Sequence, residues 1–256
     1  MIIKQICKSS TPIRSGPSSQ HGLENELLFG EKIEIHKISD SWAFCKALHD
    51  CYMGWVNIND LSDITKVNHR VINLRSNLYE KDNIKSKILF HLPLGSKLNI
   101  IKKGKKWCKI KYYNKNLICD GYVPISDIVN INNKCSDWVS IAESLINTPY
   151  KWGGRDSHSI DCSALIQLSL ETINILFPRD TKDQVNFLNY ENLKQHKRGT
   201  LIFWNGHVGA MVDQKNIIHA NAFHMKVKIE PLAQVEKRAQ KDGFEITKIM
   251  NLHSQY

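Results

Sequence analysis

A single cysteine stands where a thiol could act as a nucleophile. The stretch PYKWGGRDSHSIDCSALIQLSL places Cys162 between Asp161 and Ser163, where a glycine-rich loop gives way to a run with helical apolar periodicity. A thiol is a good nucleophile only as the thiolate, and a helix N-terminus together with a histidine can lower its pKa. The position therefore indicates covalent catalysis, with a base supplied from elsewhere in the chain.

Two of the eleven histidines stand where they could assist such a thiol. His207 opens the predicted strand HVGAMVD, and His219 closes the next one, NIIHAN. A hairpin around the DQKN turn would bring both to the same end of the strand pair. One imidazole would then take the thiol proton while the other holds its tautomer. Either histidine alone is more typical of a hydrogen-bonded strand end, so the catalytic interpretation depends on Cys162 being present as well.

The elements that would position these residues follow from the change in pattern near residues 130–135. From Trp138 the sequence predicts a helix to about residue 147, the glycine-rich loop, a helix from Cys162, and a polar connection. Four strands follow, in TLIFWN, HVGAMVD, NIIHAN and MKVKIEP. Helices followed by antiparallel strands are typical of an α+β layer fold.

The preceding half of the chain contains an approximate repeat. Residues 27–61 and 92–128 each show an L-x-x-G-[ES]-K turn, an alternating strand, a tryptophan, a second strand and a G-[WY]-V ending. Closely spaced strands with turn signals predict small β-barrels, and the repeat resembles tandem bacterial SH3-like domains. We therefore predict three domains: SH3-like domains at 1–65 and 66–132, and a catalytic domain at 133–256.

Charge and cysteine content narrow the function classes. The 256-residue chain has a formal net charge of +10, and part of the excess lies in KKGKKWCKIKYYNK, residues 102–115. Lysines among aromatic residues could bind nucleic acid, but no recognised nucleic-acid-binding motif accompanies them, so a solvated strand pair is the preferred interpretation. The seven cysteines include no CxxC pair and no zinc-type spacing, which favours reduced, mostly buried thiols. No nucleic-acid partner is expected.

The ends and apolar runs of the sequence bear on location. The opening MIIKQICKSSTPIRSG lacks the charged region and the apolar run of a signal peptide, and no stretch is long enough to span a membrane. We therefore expect a cytoplasmic protein without a membrane partner.

The motifs around Cys162, taken together with PRDTKDQ, GTLIFWNGHVGAMV and IIHAN, resemble the NlpC-type cell-wall cysteine peptidases. These are papain-like enzymes with a Cys-His-His triad, and a subset carries bacterial SH3-like domains. The resemblance is to γ-D-glutamyl-L-diamino acid endopeptidases of the dipeptidyl-peptidase VI type. It implies hydrolysis of the γ-D-glutamyl bond in L-Ala-γ-D-Glu-diamino acid peptides during murein recycling. Such an enzyme needs no metal or organic cofactor, and we expect a monomer.

The resemblance also implies roles for individual residues. Cys162 would be the nucleophile, His207 the base and His219 the third polar member, while the Tyr150 hydroxyl would join the Cys162 backbone N–H in an oxyanion hole. The residues implied in substrate binding are Trp152 as a groove wall, Asp161 and Ser163 at the D-glutamyl portion, Asp180 at the alanyl ammonium group, and from the first barrel Tyr52, with Glu26 the poorer match.

Some features leave alternatives open. Ala164 and Cys51 replace glycines of the family pattern, and Cys51 puts the pose of Tyr52 in question. Arg179 and Asp180 could instead form an ordinary surface ion pair. The same scaffold could serve an amidase or acyltransferase, or the chain could be a non-catalytic wall-binding protein.

Overall fold

The described chain divides into two compact units. In the computed structural model, the described residues are 2–187 and 196–251. The first unit comprises Met1–Asn133 with the short segment Arg155–Ser157, and the second comprises Lys134–Gly154 with His158–Tyr256. Among the described residues, no helix reaches the length and apolar character of a membrane span.

Strands dominate the first unit, as its alternating patterns predict. Trp42–Ala47, for example, buries every second side chain. The strands are β1 (Ile2–Ile6), β2 (Ser10–Arg14), β3 (Leu23–Leu28), β4 (Lys32–Ser39), β5 (Trp42–Ala47), β6 (Met53–Asn57), β7 (Leu61–Ser62), β8 (His69–Val71), β9 (Arg75–Tyr79), β10 (Ile88–Pro93), β11 (Lys97–Leu98), β12 (Ile100–Lys103), β13 (Trp107–Asn114), β14 (Leu117–Pro124) and β15 (Ile128–Asn130). Single 3₁₀ turns at Ile58–Asp60 and Ile125–Asp127 precede β7 and β15.

These strands form one large sheet and two smaller ones. The seven-stranded sheet has the order β3-β2-β6-β5-β4-β1-β7, and its core includes Ile13, Leu27 and Val56. The later strands divide between a five-stranded sheet, β10-β9-β14-β13-β12, and a three-stranded sheet, β11-β8-β15, over a core that includes Leu78 and Ile110. This region is rich in sheet without showing a second SH3 barrel clearly, so that barrel stays a prediction.

The turn before β6 answers one question raised by the sequence. Cys51 adopts φ = 64°, the left-handed conformation that the missing glycine would take more readily. The turn is therefore kept, at a steric cost of about 1–2 kcal/mol. The next residue, Tyr52, donates its backbone N–H to the Asp50 carboxylate at 3.0 Å and packs partly against the core of the seven-stranded sheet.

The second unit places helices against an antiparallel sheet. Its helices are α1 (Trp138–Ser144), α2 (Cys162–Glu171), α3 (Thr181–Gln184) and α4 (Leu232–Lys241). Its strands are β16 (Leu201–Trp204), β17 (His207–Met211), β18 (Asn216–Asn221), β19 (Lys226–Pro231) and β20 (Ile246–Met250), in the sheet order β19-β18-β17-β16-β20. Helix α1 ends three residues earlier than predicted, before Asn147 turns left-handed ahead of Pro149. The sequence patterns did not predict α3, α4 or β20.

Helix α2 is the central element of this unit. All ten of its residues are buried, and it packs against α1 and against strands β17 and β18. Ala164, which stands where the family pattern has glycine, is fully buried within the helix. The contact with β17 matters for function because it fixes the N-terminus of α2 beside the strand that begins at His207.

Candidate active site

Cys162 is the first residue of α2, and the local sequence explains why the helix begins there. Asp161 adopts an extended conformation and caps the helix, its Oδ1 accepting the Ala164 N–H at 2.9 Å. The cysteine is only 6% exposed, and its sulfur faces the backbone N–H of Val208, the residue after His207. The thiol thus lies between the N-terminus of α2 and the start of β17.

The resting thiol is neutral, which differs from the expectation that its position would lower its pKa. Burial raises the pKa of Cys162 to about 11, and the Asp161 carboxylate adds to the rise. The N–H of Val208, the Arg179 guanidinium and the N–H of Ser163 oppose it without reversing it. A nearby base must therefore remove the thiol proton as the sulfur attacks.

The two predicted histidines are in direct contact. Ala210 pairs with Ile218 and Met211 with Ile217, so the register of the hairpin places His207 and His219 as diagonal neighbours on one face of the sheet. His207 Nε2 lies 2.8 Å from His219 Nδ1. His207 is partly exposed, whereas His219 is 2% exposed. One imidazole can therefore exchange protons while the other holds it in place.

Two residues that the sequence patterns did not indicate, a carboxylate and an arginine, extend this series of hydrogen bonds. His219 Nε2 lies 2.8 Å from Oε1 of Glu230, a buried residue of β19. Arg238 of α4 donates Nη1 to Oε2 at 2.8 Å and Nη2 to Oε1 at 2.6 Å. His224 approaches the same carboxylate at 3.3 Å. A β18–β19 hairpin in the right register would have suggested Glu230, but nothing in the local sequence points to Arg238.

Burial keeps both histidines neutral. It lowers the pKa of His207 to about 3, and the neighbouring His219 adds to the effect. Burial also lowers the pKa of His219, outweighing the opposite influence of Glu230. The pKa of the Glu230 carboxyl is held well below its usual range because hydrogen bonds from His219, Arg238 and His224 overcome its burial. The resting site therefore contains a thiol, two neutral imidazoles and an ionised carboxylate.

A second buried cluster holds the other side of the nucleophile. Arg179 is 2% exposed and donates to both oxygens of Asp161, at 3.0 and 2.6 Å, and to Ser163 Oγ at 2.8 Å. Asp161 Oδ2 also accepts the Gly153 N–H at 3.0 Å. The alternative of a surface ion pair between Arg179 and Asp180 is wrong, because Arg179 is buried and its ion pair is with Asp161.

The loop before α2 carries two further predicted residues. The Tyr150 N–H donates to the Met225 carbonyl at 2.9 Å, and Tyr150 forms a parallel bridge with Ile160. Burial raises the pKa of the Tyr150 hydroxyl to about 12, and Cys162 and Asp161 add to the rise, which places this side chain near the nucleophile. Trp152 is 70% exposed, as a groove wall would be.

Asp180 precedes α3 and is half-buried. Its side chain makes no capping hydrogen bond, and Lys182 Nζ lies 3.8 Å from Oδ2. Burial raises the pKa of its carboxyl, against the influence of Arg179. A carboxylate in this setting can accept an ammonium group.

Two predicted substrate-binding residues belong to the first unit. Tyr52 is half-buried, and Glu26 is buried, its Oε2 accepting the Arg155 N–H at 2.9 Å. Their roles toward a substrate stay predictions. Within the described part of the chain, no three His, Cys, Asp or Glu side chains are grouped so as to hold a metal ion.

Comparison with known proteins identifies two domains. Residues 147–242 match the NlpC/P60 family, and residues 13–61 match the bacterial dipeptidyl-peptidase SH3 domain. Dipeptidyl-peptidase 6 of Lysinibacillus sphaericus is 32% identical over 95 residues, covering 37% of this chain and 35% of that protein. A probable endopeptidase NlpC homolog of Haemophilus influenzae is 33% identical over 85 residues, covering 32% of this chain and 46% of that protein. The chain thus spans less than half the length of these two relatives.

A solved structure supports the fold. An NlpC/P60 family protein from Bacillus cereus has a TM-score of 0.80 at 17% identity, covering 90% of this chain and 94% of that one. The papain-like arrangement of α2 against the antiparallel sheet agrees with this likeness. The chain therefore contains an NlpC/P60 domain at residues 147–242 together with a bacterial SH3 domain at residues 13–61.

Proposed function

We propose that the chain is a cysteine endopeptidase that hydrolyses the γ-D-glutamyl–diamino acid bond of peptidoglycan stem peptides. The observation that carries the proposal is the buried thiol of Cys162 at a helix N-terminus, against the strand that begins with His207, whose imidazole contacts His219 of the next strand at 2.8 Å. The similarity to dipeptidyl-peptidase 6, and to the peptidoglycan endopeptidase RipB of Mycobacterium tuberculosis at 27% identity over 108 residues, supports the substrate class.

The chemistry proceeds by acyl transfer. As the sulfur attacks the γ-glutamyl carbonyl carbon, His207 takes the thiol proton, and negative charge develops on the carbonyl oxygen. The Cys162 N–H at the start of α2 has no acceptor within the helix, and with the Tyr150 hydroxyl it can stabilise that oxygen. The tetrahedral intermediate collapses to a thioester as the protonated His207 delivers its proton to the leaving amine. Water, activated by His207, then hydrolyses the thioester and regenerates the thiol.

Asp180 would select peptides with a free amino terminus. A half-buried carboxylate gains more from an ammonium group than an exposed one because water screens it less. An L-Ala-γ-D-Glu-diamino acid peptide would place its alanyl ammonium group against Asp180, with Trp152 as a groove wall and Tyr52 as a contact from the SH3 domain. The products would be L-Ala-γ-D-Glu and a peptide or amino acid beginning with the diamino acid.

The preference for a free amino terminus also bears on which peptides reach the enzyme and where it would act. A requirement for free L-Ala would exclude stems still attached to muramic acid, which fits the recycling of small murein peptides in the cytoplasm by a monomeric enzyme. We further propose that residues 66–132 form a second SH3-like module. No nucleic-acid, membrane, metal or organic cofactor role is included.

A peptide cleavage assay tests the proposal. The chain is incubated with L-Ala-γ-D-Glu-meso-diaminopimelate and with the lysine counterpart, each free or N-acetylated, and the products are identified by mass spectrometry. Release of L-Ala-γ-D-Glu from free peptides alone is the expected result. Transfer of the acyl group to an added amine would indicate an acyltransferase, and binding without turnover would indicate a wall-binding protein.

Variants at Asp180 test its assignment in the same assay. Losing one partner of a desolvated charge pair costs about 2–5 kcal/mol, so Asp180→Ala should lower kcat/KM for the free peptide at least about 30-fold. The already poor acetylated peptide should change little. Asp183→Ala is the matched control, because Asp183 lies in α3 three residues after Asp180 but is exposed, and it should leave both activities near wild type. Equal losses for both peptides would contradict ammonium recognition.

A further inference from the structure

The histidine pair leaves one question open, namely which nitrogen of His207 is basic. A neutral imidazole carries one N–H and one lone pair, so each ring in a chain of imidazoles depends on the group behind it. The base must present its lone pair to the thiol, and a ring in the other tautomer would present an N–H there instead. The hydrogen bonds at the far end of this series of side chains determine which tautomer His207 adopts.

That far end is the carboxylate of Glu230, which is ionised and can only accept hydrogen bonds. Arg238 binds both of its oxygens, at 2.8 and 2.6 Å, and the guanidinium carbon of Arg238 lies 4.5 Å from the centre of the Phe223 ring. The 2.8 Å contact between Oε1 and His219 Nε2 therefore requires a proton on that nitrogen. This leaves the lone pair of neutral His219 on Nδ1.

The same argument determines the tautomer of His207. His219 Nδ1 lies 2.8 Å from His207 Nε2 and must accept, so His207 carries its proton on Nε2. The basic nitrogen of His207 is then Nδ1. When His207 becomes the imidazolium, its Nε2–H continues to donate to His219, so the chain needs no rearrangement during turnover.

We infer that Glu230, held by Arg238, is a positioning residue that sets the tautomers of His219 and His207 and so makes His207 Nδ1 the catalytic base. The groups facing the carboxylate are His219 from β18, His224 from the turn before β19 and Arg238 from α4. The inference rests on the proposed peptidase function for its kinetic consequence, while the tautomers themselves can be observed without turnover.

Glu230→Gln is the first test because the side chain keeps its size but can donate as well as accept. It therefore no longer enforces one tautomer on His219. Loss of the carboxylate that directly holds a catalytic histidine can cost about 10⁴-fold, and here one imidazole lies between. We expect kcat to fall about 10- to 100-fold with KM nearly unchanged, since Glu230 is not placed at the substrate.

The His219→Gln background separates positioning from general damage. The side-chain carbonyl of glutamine is its only acceptor, so it can receive the His207 N–H without tautomer selection. In that background, adding Glu230→Gln should lower kcat threefold or less. The matched control is Glu143→Gln, which removes a bidentate partner of Arg198 on the surface of the same unit and should leave kcat near wild type. An equal loss in both backgrounds would overturn the inference.

Nitrogen NMR of ¹⁵N-histidine-labelled protein provides a readout independent of activity. His207 and His219 signals are assigned by single substitution to glutamine, and both rings should show a protonated Nε2 and a bare Nδ1 in the wild type. Glu230→Gln should shift this balance for both rings. If the wild type cleaves no peptide, the proposed function fails, while the tautomers still decide the inference. A wild-type His219 protonated on Nδ1, or no change in the variant, would overturn it.

Discussion

Two buried carboxylates of the second unit each bind an arginine, but their surroundings give them different tasks. Asp161 is a helix cap whose two oxygens accept bonds from Arg179, Ser163, Ala164 and Gly153. Glu230 binds its arginine and then meets two neutral imidazoles in series. The first cluster uses its carboxylate to hold backbone and a buried guanidinium in place. The second uses the same chemistry to hold protons on chosen nitrogens.

The comparison shows that an ion pair has no fixed role apart from its neighbours. Arg179 is 2% exposed, so water has little access to the Asp161 cluster and cannot replace a carboxylate that is lost from it. The side chain of Arg238 is 27% exposed, so water can partly replace Glu230. We therefore expect the Asp161 cluster to matter more for stability and the Glu230 cluster more for turnover.

The largest effect on turnover should come from substitutions of Cys162 and His207, which lie between the two clusters. Cys162→Ala should lower kcat by at least about 10⁴-fold, and His207→Ala nearly as much, since removing either member of a catalytic unit removes most of its effect. Cys162→Ala alters neither the Asp161 cap nor the Glu230–Arg238 pair, so its thermal unfolding should stay close to wild type, whereas His207→Ala also removes the hydrogen bond of the buried His219 and should cost about 1–3 kcal/mol. Peptide turnover and calorimetry measure the two quantities. Substantial turnover by Cys162→Ala would exclude a thiol mechanism.

The next effect concerns stability and separates the two clusters directly. Asp161→Ala removes the carboxylate that binds the buried Arg179 through both oxygens and should reduce the free energy of unfolding by about 3–5 kcal/mol. Asp137→Ala is the matched control because Asp137 also caps a helix and binds an arginine, but at the surface, where about 1 kcal/mol is expected. Denaturant titration gives both values. Similar losses at the two caps would remove the distinction based on burial.

A substitution of Tyr150 tests whether a residue near the Asp161 cluster also takes part in the reaction. If its hydroxyl donates to the oxyanion, Tyr150→Phe should lower kcat by about 10²- to 10³-fold while KM and stability change little. The structural reason is its position near both Cys162 and Asp161, which add to the rise that burial causes in the pKa of its hydroxyl. Tyr122→Phe, in the first unit, serves as a control. A change confined to KM would assign Tyr150 to substrate binding instead.

The smallest expected effect is a pH dependence of the free energy of unfolding that arises from His207. His207 has a pKa of about 3 in the folded chain and about 6.5 when unfolded, so the unfolded state binds more protons between these values. The contribution of His207 to the free energy of unfolding should therefore be fully present above pH 6.5. It should decrease on acidification, by about 2 kcal/mol from pH 7 to pH 5. His207→Gln should lack this part of the decline. Urea unfolding at both pH values measures it, and an unchanged decline in the variant would contradict the assignment.

Much of the candidate active site could be predicted from sequence because it depends on local patterns. The periodicity after residue 161 indicated that a helix begins at Cys162, and the spacing of His207 and His219 around a turn indicated a shared strand end. The four strands from Leu201 to Pro231 followed from alternation and turn signals. Such signals lie within a few residues of the feature they determine, so they require no knowledge of the packed structure.

Tertiary structure alone decided the partners and the charges. Glu230 reaches His219 only through the β18–β19 register, Arg238 arrives on α4, and Arg179 binds Asp161 across 18 residues of chain. The protonation of Cys162 was decided in the same way. A helix N-terminus alone would lower its pKa, but the packing of α2 against β17 removes water from the thiol and raises it to about 11. Desolvation depends on everything that surrounds a group, and the sequence near Cys162 records only a small part of those surroundings.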